Sequence, residues 1–207
     1  IGLARGSSMN LWCGFFPTAE IVGVDITLHP DCQPCSLGDG IYVFSGDSGD
    51  AELLRRLHRE GDDQYSFIID DGAHTPDSQM AAFNHLFKTA LEDGGTYFIE
   101  DIETSYWTTG SLYGNEYRGG GRGNGEEGQN VIEIFKALAD AVNKEFFTAS
   151  GLAEEDVPFI DPEVAGMVES VEFGANVVAI TKREEERHAF YHDRAYRTSD
   201  YVEGYGA

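Results

Sequence analysis

Two short apolar runs, Phe67-Ile68-Ile69 and Tyr97-Phe98-Ile99, each end in a pair of adjacent acids, Asp70-Asp71 and Glu100-Asp101. An unbroken apolar run of this length reads as a strand buried on both faces, which a parallel sheet requires. Ligands of open α/β sheets gather at the carboxyl ends of the strands. If the two runs are neighbours, Asp70, Asp71, Glu100 and Asp101 share one rim, with His74 just beyond it. Four carboxylates in one place repel each other unless a cation lies among them. All-oxygen donors suit a hard ion, magnesium first and calcium or manganese less specifically. One acidic pair alone would read as the polar start of a loop. Two at equivalent places, one beside a histidine, point to a site.

The rest of the chain supplies the frame for such a rim. Ile1 and Gly2 read as the end of a strand, followed by a glycine turn and a helix through Phe15, capped by Ser7 or Ser8. Residues 19–25 give a strand ending in Asp25, residues 29–40 a loop, and Ile41 to Ser45 a third strand. Gly46-Asp47-Ser48 then caps a helix to about Glu60, and a further helix runs from Pro76 to about Leu91. Gly94-Gly95 stops that helix. Strands alternating with such helices imply right-handed crossovers and a mostly parallel, doubly wound sheet with helices on both faces. Residues 104–128, with Tyr106, Trp107 and a glycine-arginine stretch, break the rhythm and read equally as a lid or a surface insertion. Gln129 to about Phe147 has helical spacing. Residues 167–173 and 176–182 form a closing strand pair, and 183–207 a charged, aromatic tail.

Composition narrows the class of partner. A net charge of −23 argues against nucleic acid or an anionic membrane surface. It suits a small neutral or cationic ligand, or one whose cation the acids hold. With 41% hydrophobic residues a real core can form, and no run is long enough to span a bilayer. The chain opens at Ile1, inside what reads as a strand, so an upstream piece is expected. Three cysteines, Cys13, Cys32 and Cys35, are an odd count that fits a reducing, cytoplasmic compartment better than a disulfide-stapled fold. The Cys32-x-x-Cys35 spacing lacks a second pair to complete a zinc site.

The first turn, Gly2-Leu3-Ala4-Arg5-Gly6, lacks the middle glycine that lets backbone amides approach a pyrophosphate. Asp25 stands about twenty residues on, where an acid grips ribose hydroxyls. Asp47 follows the third strand. An acid-lined ribose pocket without a phosphate cradle fits S-adenosylmethionine.

With these motifs in order, the chain resembles the class I S-adenosylmethionine-dependent methyltransferases. Among them it looks like the metal-dependent macrolide sugar O-methyltransferases. The resemblance covers roughly residues 1–182 and rests on Ile-Gly-Leu-Ala-Arg-Gly-Ser-Ser, Ala-Glu-Ile-Val-Gly-Val-Asp-Ile, Val-Phe-Ser-Gly-Asp, Ile-Ile-Asp-Asp-Gly-Ala-His and Tyr-Phe-Ile-Glu-Asp-Ile-Glu-Thr-Ser-Tyr-Trp. The closing Val-Glu-Phe-Gly-Ala-Asn-Val-Val-Ala-Ile-Thr-Lys belongs to the same likeness. It implies a Rossmann-like, mostly parallel seven-stranded sheet with an antiparallel closing pair, the first strand being truncated here. It also implies that Asp71, Glu100 and Asp101 hold Mg2+, that His74 is the general base, and that Gly2, Ala4, Ser8, Asp25, Asp47 and Asp70 contact the cofactor.

The acceptor would be a sugar hydroxyl. A catechol or other vicinal diol would be chelated in the same way, and a non-catalytic cofactor-binding module is the reading outside enzymes. The tail is expected to pack on a partner subunit, giving a homo-oligomer. His29, His58 and His85 have no ligand-spaced partners in sequence, and His188 with His192 falls in the tail.

Overall fold

The computed structural model describes residues 1–30, 32, 40–58, 63–107, 109–112, 115–118, 131–143 and 160–184. The Cys35 half of the cysteine pair, the glycine-arginine part of the expected lid, His188, His192 and nearly all of the tail lie outside these residues. Among them no helix is long and apolar enough to cross a membrane.

The expected strands form, one of them starting at Leu91 rather than Thr96, and a further short pair lies within 104–128. β1 (Ile21–Asp25) pairs in parallel with β2 (Ile41–Ser45), Asp25 opposite Ser45. β3 (Tyr65–Asp70) pairs in parallel with β4 (Leu91–Glu100), Asp70 opposite Ile99. Thr109–Leu112 and Asn115–Arg118, β5 and β6, make a separate antiparallel ribbon. β7 (Val168–Gly174) and β8 (Val177–Lys182) close the larger sheet, whose order is β3-β4-β8-β7. The expected seven-stranded sheet is thereby corrected: the six main strands among the described residues lie in two sheets. The two sheets meet at Ile1 and Gly2: the Gly2 N–H donates to Val24 O of β1 at 2.8 Å, Ile1 N to Ile69 O of β3 at 2.7 Å, and Asp71 N–H to Ile1 O at 3.0 Å.

In the larger sheet one face is buried under helices and the other is more open, with Phe67 58% exposed, against the expectation of strands buried on both faces. α1 (Ser7–Phe15) lies on the Gly23 side of β1, where a Cβ on Gly23 would stand 2.3 Å from Met9 Sδ. Glycine is needed there for close helix–strand approach. On the other side, α2 (Ala51–Arg56), α3 (Pro76–Thr89) and α4 (Val131–Val142) bury one core with Val24, Ile68, Tyr97, Ile99 and Ile180. Phe83 of α3 sits at its centre, edge-on to Tyr97 (5.3 Å between centroids) and to Phe135 of α4 (5.2 Å).

Three local expectations are corrected. Neither Ser7 nor Ser8 caps α1; Gly6 holds the N-cap place at φ 84 with no side-chain cap. The cap of α2 is Asp50, whose Oδ1 accepts from Glu52 N (2.7 Å) and Leu53 N (3.1 Å), rather than the Gly46-Asp47-Ser48 stretch. Asp50→Ala is expected to destabilise the fold by about 0.5–2 kcal/mol in urea unfolding. Gly94-Gly95 does not end α3, which stops at Thr89. It lies in an irregularity of β4 with Gly94 at φ 80, where Cβ-bearing residues are strained.

Candidate active site

The strand ends and the turn before α1 line one continuous rim. At its middle stands Gly2, at φ 81, so tightly packed that a Cβ would lie 1.8 Å from Asp71 O. Ala4, at φ 46, and Gly6 complete a turn whose backbone repeatedly takes the left-handed region. Asp25 holds this turn: its Oδ2 accepts from both Leu3 N and Ala4 N at 2.8 Å, and its Oδ1 from Thr27 N at 3.1 Å. Asp25 thus shapes the turn, a role its spacing alone did not disclose. Beside it, Asp47 is exposed and its Oδ1 accepts from Gly49 N at 2.8 Å. Ser8 is exposed on the first turn of α1.

Asp70 and Glu100 end their strands, and Asp71 and Asp101 lie just beyond them. Asp70 turns into the core, 1% exposed, where Gly72 N (3.2 Å) and the Tyr97 hydroxyl (3.3 Å) donate to its two oxygens. Burial raises the Asp70 carboxyl above its ordinary value, those bonds opposing, and pushes the Tyr97 hydroxyl well above its own. Asp70 therefore braces the Gly72 turn from below and does not join the other three acids.

Asp71, Glu100 and Asp101 do share a field. Burial, then the neighbouring Asp71 and Asp101 charges, raise the Glu100 carboxyl. Burial raises Asp71 too, with His74 pulling it down and Asp101 pushing it up. His74, only 3% exposed, places Nε2 at 3.8 Å from Asp71 Oδ1 and 3.9 Å from Asp101 Oδ2. These distances exceed a hydrogen bond. One ligand atom from each of Asp71, His74 and Asp101 lies within 4.8 Å of the others. Asp71 and Asp101 bring oxygen to this group and His74 brings nitrogen; Glu100, expected as a third carboxylate ligand, is not among the three.

Two residues that spacing did not single out support the group. Thr104 Oγ1, in the 3-10 segment Ile102–Tyr106, donates to His74 O at 3.1 Å and ties the two acidic loops together. Asn176 donates to Asp101 Oδ1 at 2.8 Å from the β7–β8 turn. Both act through tertiary contacts across long sequence gaps, for which a linear pattern has no signal. His74 and Asp101 are held at φ 52 and φ 54, unusual for residues with a Cβ and most frequent at functional sites. Tyr106 is exposed just beyond, where an acceptor ring can reach it.

The cysteines fall to one side. Cys32 is a free thiol, and a Cβ on Gly6 would lie 3.1 Å from its sulfur. Cys13 is disulfide-bonded, against the expectation drawn from the odd count.

No family model matches the chain. Curated relatives do. It is 33% identical over 144 residues to the 8-demethyl-8-(2-methoxy-alpha-L-rhamnosyl)-tetracenomycin-C 3'-O-methyltransferase of Streptomyces olivaceus, covering 70% of this chain and 33% of that protein. It is 32% identical over 143 residues to the L-olivosyl-oleandolide 3-O-methyltransferase of Streptomyces antibioticus, covering 69% and 34%. It is 35% identical over 102 residues to the mycinamicin VI 2''-O-methyltransferase of Micromonospora griseorubida, covering 49% and 24%. The chain thus spans about a third or less of the length of these relatives. Among solved structures it is similar to the MycE methyltransferase of mycinamycin biosynthesis in complex with Mg and SAH, with a TM-score of 0.65 and 28% identity over 86% of this chain and 40% of that one. The same enzyme with Mg, SAH and mycinamycin VI gives a TM-score of 0.65.

Proposed function

We propose, from this likeness to antibiotic-sugar O-methyltransferases, that the chain transfers a methyl group from S-adenosylmethionine to a hydroxyl of a sugar or glycosylated natural product, with magnesium. The observation that carries the proposal is the convergence of Asp71, His74 and Asp101 within 4.8 Å, next to a turn whose amides Asp25 holds. The donor set fits the ion. Asp71 and Glu100 have carboxyls raised first by burial and then by neighbouring carboxylates, Asp101 in both cases, which a divalent charge among them would relieve.

The residues divide the work by chemistry. Asp71, Glu100 and Asp101 would hold the ion through oxygen, which magnesium prefers to nitrogen. Gly2, Ala4, Ser8, Asp25 and Asp47 line the cofactor side of the rim, and Asp70 braces it from the core. A bound magnesium lowers the pKa of an acceptor hydroxyl and fixes its position, while the sulfonium supplies an electrophilic methyl group. His74 takes the hydroxyl proton at Nε2, and its burial keeps the imidazole in one orientation. Tyr106 offers a ring face to the acceptor, which keeps the reacting oxygen in line.

The test is turnover with S-adenosylmethionine against a panel of glycosides and of catechols, with and without a chelator. We expect methylated glycosides, with turnover abolished by chelation and restored by magnesium. Methylation of catechols alone would move the acceptor class to vicinal diols. Cofactor binding unaffected by chelation, with no turnover, would make the chain a binding module.

A further inference from the structure

Asn176 occupies the second place of the two-residue turn between β7 and β8, where Gly174 pairs with Val177. Its φ of 60 lies in the left-handed region that Asn tolerates better than most residues. Its side-chain amide is used at both ends. Nδ2 donates to Asp101 Oδ1 at 2.8 Å, and Oδ1 accepts from Glu103 N at 2.8 Å. A carboxylate can only accept and a backbone N–H can only donate, so the amide has one orientation that serves both. Asn176 therefore closes a ring across Asp101-Ile102-Glu103 from a hairpin 75 residues away.

That ring acts on a carboxylate with two tasks. Asp101 Oδ1 is anchored by Asn176, while Oδ2 faces His74 Nε2 at 3.9 Å in the cluster with Asp71. Asp101 itself sits at φ 54 at the N-cap of a 3-10 segment and has no side-chain cap bond there. The pairing of Glu100 with Val177 in the β4–β8 ladder delivers the hairpin turn beside it. Both bonds lie at the surface, where a hydrogen bond adds little to overall stability. Their consequence is orientation.

We propose that Asn176 is a positioning residue, which fixes the rotamer of Asp101 so that Oδ2 is presented to a divalent cation shared with Asp71. This rests on the metal reading of the site above. Groups that orient a metal ligand from behind are typically worth about 10–100-fold in metal affinity.

The test is calorimetric titration of Mg2+ and Mn2+ into the full chain and into Asn176→Gly. Glycine keeps the positive φ of the turn and deletes only the amide. We expect metal affinity to fall by about 10–100-fold, with the thermal midpoint and S-adenosylmethionine affinity unchanged. Equal metal affinity in the two chains overturns the positioning role and leaves the metal reading standing. A variant too unstable to titrate, or one that loses cofactor and metal affinity alike, also overturns it, since Asn176 would then be a strut of the fold. Absence of metal binding in the unaltered chain removes the metal reading and this inference together.

Discussion

Changing His74 to alanine is expected to lower methyl-transfer turnover by about 10²–10⁴-fold, the usual contribution of a positioned general base. Magnesium and S-adenosylmethionine should still bind with near-normal affinity. His74 is a nearly buried imidazole whose Nε2 stands 3.8 and 3.9 Å from one oxygen each of Asp71 and Asp101. If Asp71, Glu100 and Asp101 hold the ion through oxygen, as proposed, the imidazole is left to accept the hydroxyl proton. Single-turnover kinetics with calorimetry on the same sample separates the two uses of the side chain. If His74→Ala loses metal affinity in step with turnover, His74 is a ligand and the proton acceptor must be sought elsewhere. Turnover that survives unchanged would remove His74 from the chemistry altogether.

Gly2→Ala should have the second-largest effect, through geometry alone. A Cβ there would stand 1.8 Å from the Asp71 carbonyl oxygen, on a backbone at φ 81. The left-handed conformation costs a residue with a Cβ about 1–2 kcal/mol, and relief of such an overlap typically about 1–3 kcal/mol more. Residues 1–2 can escape by moving away from β3, but then the cofactor turn leaves the side of Asp71. Either way the arrangement competent for binding becomes scarce, and apparent affinity falls with its population. We expect S-adenosylmethionine to bind roughly 30- to 4,000-fold more weakly, corresponding to about 2–5 kcal/mol. Asp25→Asn, which keeps an acceptor for Leu3 N and Ala4 N, should lose much less. An unaltered cofactor affinity in Gly2→Ala would show that the turn and the metal rim are not coupled through this contact.

Much of this site was legible in linear order because its parts are local. The runs Phe67–Ile69 and Tyr97–Ile99 gave two neighbouring parallel strands, and β3 and β4 pair with Asp70 opposite Ile99. Apolar spacing located α3 and α4, whose Phe83 and Phe135 meet at the core. Pro76 in the first turn of α3 follows directly from its missing N–H. Errors clustered where two local solutions compete. Ser7, Ser8 and Asp47 are each chemically able to cap, but the N-cap places belong to Gly6, without a side-chain bond, and to Asp50, which accepts from Glu52 N and Leu53 N. Gly94-Gly95 looked like a helix stop and proved to be a strand irregularity beside Glu184.

What the sequence determined by itself was the inventory and its order: alternating strands and helices, acids at the strand ends, and a turn without a phosphate cradle. Periodicity and turn chemistry act over a few residues, and that is their reach. Only the tertiary structure decided which way each acid faces and what holds it there. Asp70 went to the core beneath Tyr97, Asp25 to the amides of the first turn, and Asp101 to an amide carried in from a distant hairpin. A side chain's rotamer is set by partners across the fold, whose separation along the chain carries no periodic signal.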